Sequence, residues 1–386
     1  MYCFEYELTP IKIAFYGAVN AKNNIIVYGD FGSYLLSSDL GKSWEQRFVG
    51  VFDEIRSMVN FNDTLFGVMY NGYLIISTDG GVHWILKKLD KEQSERFLNI
   101  LVTEGIIYIR GIQTIYKLDR NGNVLKSLKN PIFEPTHNNL IEGNSDEVVK
   151  PINTYVNDDI YLFEGKIILN SQSFSDSGFI AVDTNLNSFQ QVVLINKFQP
   201  WSGDYPELVK VLDYSNQKIF LIKYSNLYTT DASFSTFNYF FKDSLFMNFD
   251  TVYDVYRKWF KYGNPQLYFT IGDTLFIGKW SDSVKYDTIG PQSYIPYYQF
   301  YIYSVNKYIF SGKDTFVVQG KPFYDVYNAS HYYLGGDSYK PLLWKIYFPN
   351  LIMDDSVWIF VNRNRFVLMT TDKGYSWRLV SYLSGI

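Results

Sequence analysis

One eight-residue pattern, S-x-D-x-G-x-x-W, recurs in this chain at a spacing that restricts the fold more than any other feature. Ser37-Ser38-Asp39-Leu40-Gly41-Lys42-Ser43-Trp44 and Ser77-Thr78-Asp79-Gly80-Gly81-Val82-His83-Trp84 lie 40 residues apart (39 to 79, 44 to 84). Thr370-Thr371-Asp372-Lys373-Gly374-Tyr375-Ser376-Trp377 repeats it near the C-terminus, with Thr replacing Ser. Gly32 and Gly72 keep the same period, each seven residues before its Asp. A fixed period of this length is the sequence mark of stacked supersecondary units.

Strand-forming segments surround each box. Residues 11–16, 24–28 and 33–37 precede Asp39 and 44–49 follow it; 57–61, 64–70 and 73–77 precede Asp79 and 84–88 follow it. Asn71-Gly72 between two of these runs is a hairpin turn signal. Four short strands per repeat, joined by short turns, is the metre of a propeller blade. No stretch keeps a 3.6-residue apolar period, so almost no helix is expected. The aromatic content of 19% suits pleated sheet.

The metre continues through poorer boxes at Asp119-Arg120-Asn121-Gly122-Asn123, Asp183-Thr184-Asn185-Leu186-Asn187, Asp231 and Asp282, then a turn at Gly320-Lys321-Pro322, and closes at Asp372. That counts eight blades, with seven the alternative; the blade between 291 and 330 has the poorest pattern. The expected fold is an all-β single propeller over 9–384. Residues 1–8 form an arm or extra strand, and 131–150 a polar loop insertion. Strands at 344–348, 356–362, 365–370 and 377–382 supply the last blade, and first and last strands meet to leave no free sheet edge.

The chemistry of the box is local. Asp39 and Asp79 accept hydrogen bonds from backbone N–H groups of their own turn, and Ser37, Ser77 or Thr370 adds a hydroxyl. Gly41, Gly81 or Gly374 supplies a positive φ, and Trp44, Trp84 or Trp377 buries the hairpin. With Asp372 these residues are read as structural. They resemble the Asp-box (BNR) repeat. That resemblance implies turns between the third and fourth strands of propeller blades, as in sialidases, xyloglucan-cleaving glucanases, sortilin-type receptors and the photosystem II assembly factor group. The run from Val27 to Asp39 looks most like the last group. The resemblance is clear over about 8–90 and 340–386, and it is specific for fold rather than activity.

A sialidase-like enzyme would place an arginine triad about its substrate carboxylate, beginning ahead of the first box. No arginine precedes Arg47 here, and the remaining Arg56, Arg96, Arg110, Arg120, Arg257, Arg363, Arg365 and Arg378 have no spacing that demands a triad. Other glycosidases need only two flanking carboxylates. Asp158-Asp159, Asp354-Asp355, Glu164, Asp204 and Glu207 are candidates without a motif. His83, His137 and His331 have no zinc spacing. Asp183-x-Asn185-x-Asn187 begins like a calcium loop but has Ser188 and Leu194 where Gly and Glu belong, so a plain turn is expected. There is no phosphate loop or nucleophile elbow. No catalytic residue, metal or cofactor is assigned.

Two loops outside the strand pattern carry the binding candidates: Trp201, Asp204 and Tyr205 in one, and His331, Tyr332 and Tyr333 in the other. Rings beside a carboxylate suit sugars, and exposed Tyr and Trp suit protein interfaces. A formal charge of −4 argues against a nucleic-acid partner, and no apolar run reaches the roughly 18 residues of a membrane span. The single Cys3 forms no internal disulfide. The start MYCFEYELTP reads as no signal peptide, whereas the family resemblance favours an extracytoplasmic or cell-surface protein. The expected function is a non-catalytic binding or assembly module presenting loops to a protein or glycan partner. The alternatives are a glycoside hydrolase acting on a polysaccharide and a subunit of a larger surface assembly.

Overall fold

The computed structural model describes residues 14–129, 159–172, 176–196, 210–214, 217–222, 226–235, 237–241, 267–271, 274–283, 297–306, 309–316, 351–353, 356–362, 366–371 and 378–380. The first sheet is an antiparallel meander of β1 (Phe15–Ala21), β2 (Asn24–Gly29), β3 (Ser33–Ser37) and β4 (Glu45–Phe48). The second repeats it with β5 (Ile55–Phe61), β6 (Thr64–Met69), β7 (Tyr73–Ser77) and β8 (Ile85–Lys88). The first strand differs from the expected 11–16 because Ala21 pairs with Asn24, so the turn at Lys22-Asn23 sets where β1 runs.

Burial is graded across the first two sheets. Every residue of β6 is buried, and Ile25, Ile26 and Val27 of β2 expose nothing. A strand covered on both faces needs apolar side chains at consecutive positions, which is why these runs do not alternate. The fourth strands β4 and β8 are edges and are largely exposed.

The third sheet comprises β9 (Phe97–Thr103), β10 (Ile106–Gly111), β11 (Thr114–Leu118) and β12 (Val124–Lys129). The fourth comprises β13 (Ile160–Phe163), β14 (Lys166–Gln172), β15 (Asp176–Asp183) and β16 (Phe189–Asn196). The fifth comprises β17 (Lys210–Tyr214), β18 (Gln217–Ile222), β19 (Asn226–Thr230) and β20 (Phe237–Phe241). The sixth comprises β21 (Leu267–Ile271), β22 (Thr274–Ser283), β23 (Tyr297–Asn306) and β24 (Ile309–Phe316). The last comprises β25 (Leu351–Met353), β26 (Val357–Asn362), β27 (Phe366–Thr370) and β28 (Arg378–Leu379).

Seven four-stranded sheets thus stand among the described residues. The turns at Asp119, Asp183 and Asp231 fall between third and fourth strands as expected. Asp282 does not: it lies inside β22, the second strand of its sheet, and β23 and β24 complete that sheet instead of forming a further one. Asp282 has neither the box glycine nor the tryptophan, so nothing in its neighbourhood forces a turn. The last sheet opens with β25, and the expected strand 344–348 and the turn at Gly320-Lys321-Pro322 lie outside the described residues. The single helical element among the described residues is a 3-10 turn at Asp30–Gly32. No helix among them is long and apolar enough to cross a membrane.

The chain divides into two compact units. In the unit holding the first, second and last sheets, alternate residues of β2 serve different cores. Ile25 and Val27 pack with Val357, Ile359 and Met369 of the last sheet, while Ile26 and Tyr28 pack with Ile55, Leu65 and Met69 of the second. The other unit repeats the arrangement. Tyr108 and Ile115 of the third sheet pack with Ile167, Ile180 and Val182 of the fourth, whose opposite face packs Phe163, Ile168 and Phe179 against Val211 of the fifth.

Candidate functional site

The box turns are networks closed on themselves. Asp39 accepts the Ser43 N–H at 2.9 Å, the Ser43 hydroxyl at 2.6 Å and the Ser37 hydroxyl at 2.8 Å. The Ser37 oxygen accepts the Gly41 N–H at 2.7 Å, and Trp44 Nε1 donates to the Gly41 carbonyl at 2.9 Å. Asp79 accepts from Ser77 Oγ (2.8 Å), from the N–H groups of Val82 and His83 (both 3.0 Å) and lies 2.7 Å from His83 Nδ1. Thr370 is buried at the matching place in the last sheet, and Asp372, Gly374 and Trp377 lie outside the described residues. In the poorer boxes, Asp183 accepts the N–H groups of Asn185, Asn187 and Ser188. Its carboxylate is therefore spent on its own turn.

These bonds favour the ionised carboxyl. The Ser43 hydroxyl, then its N–H, hold Asp39 well below the ordinary value of 3.8. Desolvation raises Asp79, but the His83 N–H and ring, Ser77 and Val82 outweigh it and hold it well below as well. Asp231 is lowered first by the Ser233 hydroxyl. A carboxyl depressed in the folded state stabilises the fold above the unfolded value and loses that contribution as pH falls through the folded one. The urea midpoint is therefore expected to hold from pH 7 to 5 and to fall below about pH 4, with a flatter acid limb in Asp79→Asn. Asp79→Ala is expected to cost about 1–3 kcal/mol by leaving turn N–H groups unpaired, read by chemical denaturation, with partner affinity unchanged.

What the sequence does not reveal is that three of these turns, at Asp79, Asp183 and Asp231, are also gripped by the sheet before them. Asn24 Nδ2 donates to the Gly80 carbonyl at 2.8 Å and Tyr34 Oη to the Gly81 carbonyl at 2.9 Å. Tyr108 Oη donates to Thr184 O at 2.9 Å, and Lys166 Nζ to Ala232 O at 2.7 Å. The anchoring ring follows the same rule: Trp84 packs into the core between the first two sheets, edge-on to Tyr34 at 5.7 Å. Where the tryptophan is missing, Leu186 and Phe234 take the left-handed position (φ 55 and 56) and bury their side chains in the corresponding cores.

Of the carboxylate candidates, Asp159 and Glu164 are among the described residues. Asp159 precedes β13 and accepts the Tyr161 hydroxyl at 2.8 Å, while Glu164 stands beyond the opposite end of that strand. Arg47, Arg56, Arg96 and Arg110 each go to different partners: Glu45, Glu54, the Gln93 and Glu95 carbonyls, and the Asp159 carbonyl. Trp201, Asp204, Tyr205, His331, Tyr332 and Tyr333, with Asp158, Asp354, Asp355, Glu207, His137 and the insertion 131–150, lie outside the described residues.

A surface that the sequence does not single out forms at the opposite end of the first two sheets from the boxes. Phe31, in the β2–β3 turn, is 47% exposed at φ 57, a conformation a bulky side chain adopts only under strain. Phe48 and Phe52 stack with centroids 4.8 Å apart, and Phe52 is 80% exposed. The next sheet presents the Arg56 guanidinium over the Tyr16 ring (5.1 Å) and the Tyr70 ring (5.5 Å), with Glu54 at 3.2 Å. Tyr16 in turn donates to Asp30 at 2.6 Å. Burial, then that bond, push the Tyr16 hydroxyl well above its ordinary value, so it stays a donor. The turns beneath are rigid. Asp53 accepts both the N–H and the Nδ2 of Asn71 at 2.8 Å, and Gly32 and Gly72 offer their carbonyls to the N–H groups of Val49 (2.9 Å) and Leu89 (3.0 Å). Both glycines also have positive φ (69 and 103), which explains why glycine keeps the period at these places.

No protein-family model matches the chain, and no curated protein matches it in sequence. Among solved structures, one titled "YCF48 bound to D1 peptide" is similar with a TM-score of 0.51 at 8% identity, covering 96% of both chains. YCF48 from Cyanidioschyzon merolae gives a TM-score of 0.48 at 13% identity over 94% of this chain and 97% of that one. PorZ of the Porphyromonas gingivalis type-IX secretion system gives 0.46 at 9% over 97% of this chain and 39% of that one. Successive four-stranded antiparallel meanders, together with the first of these likenesses, make this chain an all-β protein of the β-propeller class.

Proposed function

We propose that this chain is a non-catalytic propeller module, of the Asp-box type and built as one domain over 9–384, that binds a protein partner. The observation that carries this reading is the surface of Phe31, Phe48 and Phe52 beside Arg56. Aromatic rings and arginine are the residues enriched where proteins meet, and a strained backbone that holds Phe31 outward has no use in the core. The solved structure titled as YCF48 bound to a D1 peptide supports peptide capture as a task this fold performs.

Screening the wild-type protein against a random peptide display library and a glycan array tests the reading. A peptide consensus is expected, with Phe52→Ser and Arg56→Ala each weakening the selected peptide roughly tenfold and leaving the urea midpoint of Phe52→Ser unchanged. A glycan hit insensitive to both substitutions would shift the site to carbohydrate and reopen the glycoside hydrolase and glycan-binding readings.

A further inference from the structure

At the box end, where the third sheet meets the fourth, a shallow surface groove would be lined by two lysines and two amides. Lys117 of β11 and Lys126 of β12 are register partners, so two ammonium groups stand directly opposite each other on neighbouring strands. Like charges in that relation destabilise a sheet. Neither lysine forms an ion pair among the described residues. Lys117 Nζ donates to Asn185 Oδ1 at 3.2 Å, and Lys126 Nζ donates to Asn187 Oδ1. Because both amides turn their oxygens to the lysines, their Nδ2 groups add further donors. Two carboxylates stand in the adjoining turns and both accept from their own turn: Asp119 from Asn121 and Asn123, and Asp183 from Asn185, Asn187 and Ser188. A lysine ammonium carries three protons; each of these gives one to a carboxamide, and Lys117 Nζ also stands 5.9 Å from the centroid of the Tyr108 ring.

We propose that this groove binds an acidic peptide segment of a protein partner, with a carboxylate seated between Lys117 and Lys126. An apolar ring borders the amides: Phe189 (53% exposed) pairs with Val182, which packs toward the third sheet, and this suits an apolar residue beside the acidic ones. The inference rests on the protein-binding reading, but uses a surface in the other compact unit.

The test is fluorescence anisotropy with a labelled peptide, Gly-Glu-Leu-Glu-Leu-Glu-Gly, and its Gln counterpart. The acidic peptide is expected to bind, to weaken as salt rises from 50 to 300 mM because exposed charges are screened, and to lose roughly tenfold in affinity in the Lys117→Gln/Lys126→Gln variant. The Gln peptide is expected not to bind. Equal binding of the acidic peptide by the double variant, or none by the wild type, overturns the proposal. So does binding of a heparin oligosaccharide with no response to the peptide, which would make the groove a site for anionic glycan. Phe52→Ser should bind the acidic peptide as the wild type does, so failure here leaves the Phe31 surface and its own test untouched. A thermal melt of the double variant matching the wild type excludes a folding defect.

Discussion

Leu186→Ala is expected to lower stability by about 3 kcal/mol, within the range for removing a fully buried leucine side chain, and Leu186→Gly is expected to lower it no further. The two substitutions separate two effects at one position. Leu186 is 1% exposed and packs with Ile115, Ile167 and Val182, so either truncation empties the same part of the core. The backbone there has φ 55, which disfavours any residue with a Cβ by about 1–2 kcal/mol and does not disfavour glycine. The relief of that strain offsets the extra methyl lost in the glycine variant. A glycine variant clearly weaker than the alanine one in urea denaturation would show that the left-handed backbone is not strained. A loss under 1 kcal/mol in both would show that Leu186 is not the anchor of its turn.

Gly32→Ala is expected to be equally severe, at about 3 kcal/mol from a left-handed conformation combined with overpacking. The glycine has φ 69, and an added Cβ would stand 2.2 Å from the Val51 carbonyl oxygen and 3.1 Å from the Phe48 ring. The obstacle is backbone, so relief requires the chain between the first and second sheets to move. That movement would also displace Phe48 and Phe52, and the variant is expected to lose peptide binding in proportion to its loss of order. Gly50→Ala is the control: it too has positive φ (105), but nothing lies within 4 Å of its Cβ. Denaturation of the pair separates steric contact from backbone conformation.

The boxes were legible in the sequence because their chemistry is closed within a few residues. Asp79 reaches only from Ser77 to His83, so a pattern of that length contains the whole cause of the turn. Asp282 misled for the complementary reason: an Asp among small polar residues resembles a turn until its glycine and its anchoring ring are required. Leu186 and Phe234 were hidden because a buried apolar residue at positive φ looks, in sequence, like any other apolar residue in a strand-rich chain. The Phe31 surface was hidden by composition, since in a chain with 31 phenylalanines one more ring carries no signal. Only its place between Gly29-Asp30 and Gly32, where a core residue has no reason to be, could have marked it. The lysine groove needed the register of β11 on β12, which no local pattern supplies.

The packing of a box tryptophan on a neighbouring sheet also bears on how the chain leaves the ribosome. Trp44 is made early, yet the core it packs against includes Leu351, Met353, Val357, Ile359, Val367 and Met369, which follow about 300 residues later. Until they do, Phe15, Ala18, Ile25 and Val27 have no partner for one whole face. A nascent chain stalled midway would therefore display an apolar sheet ready to join that of another molecule, and its safest course in a cell is shelter by a chaperone until β25 to β28 are translated.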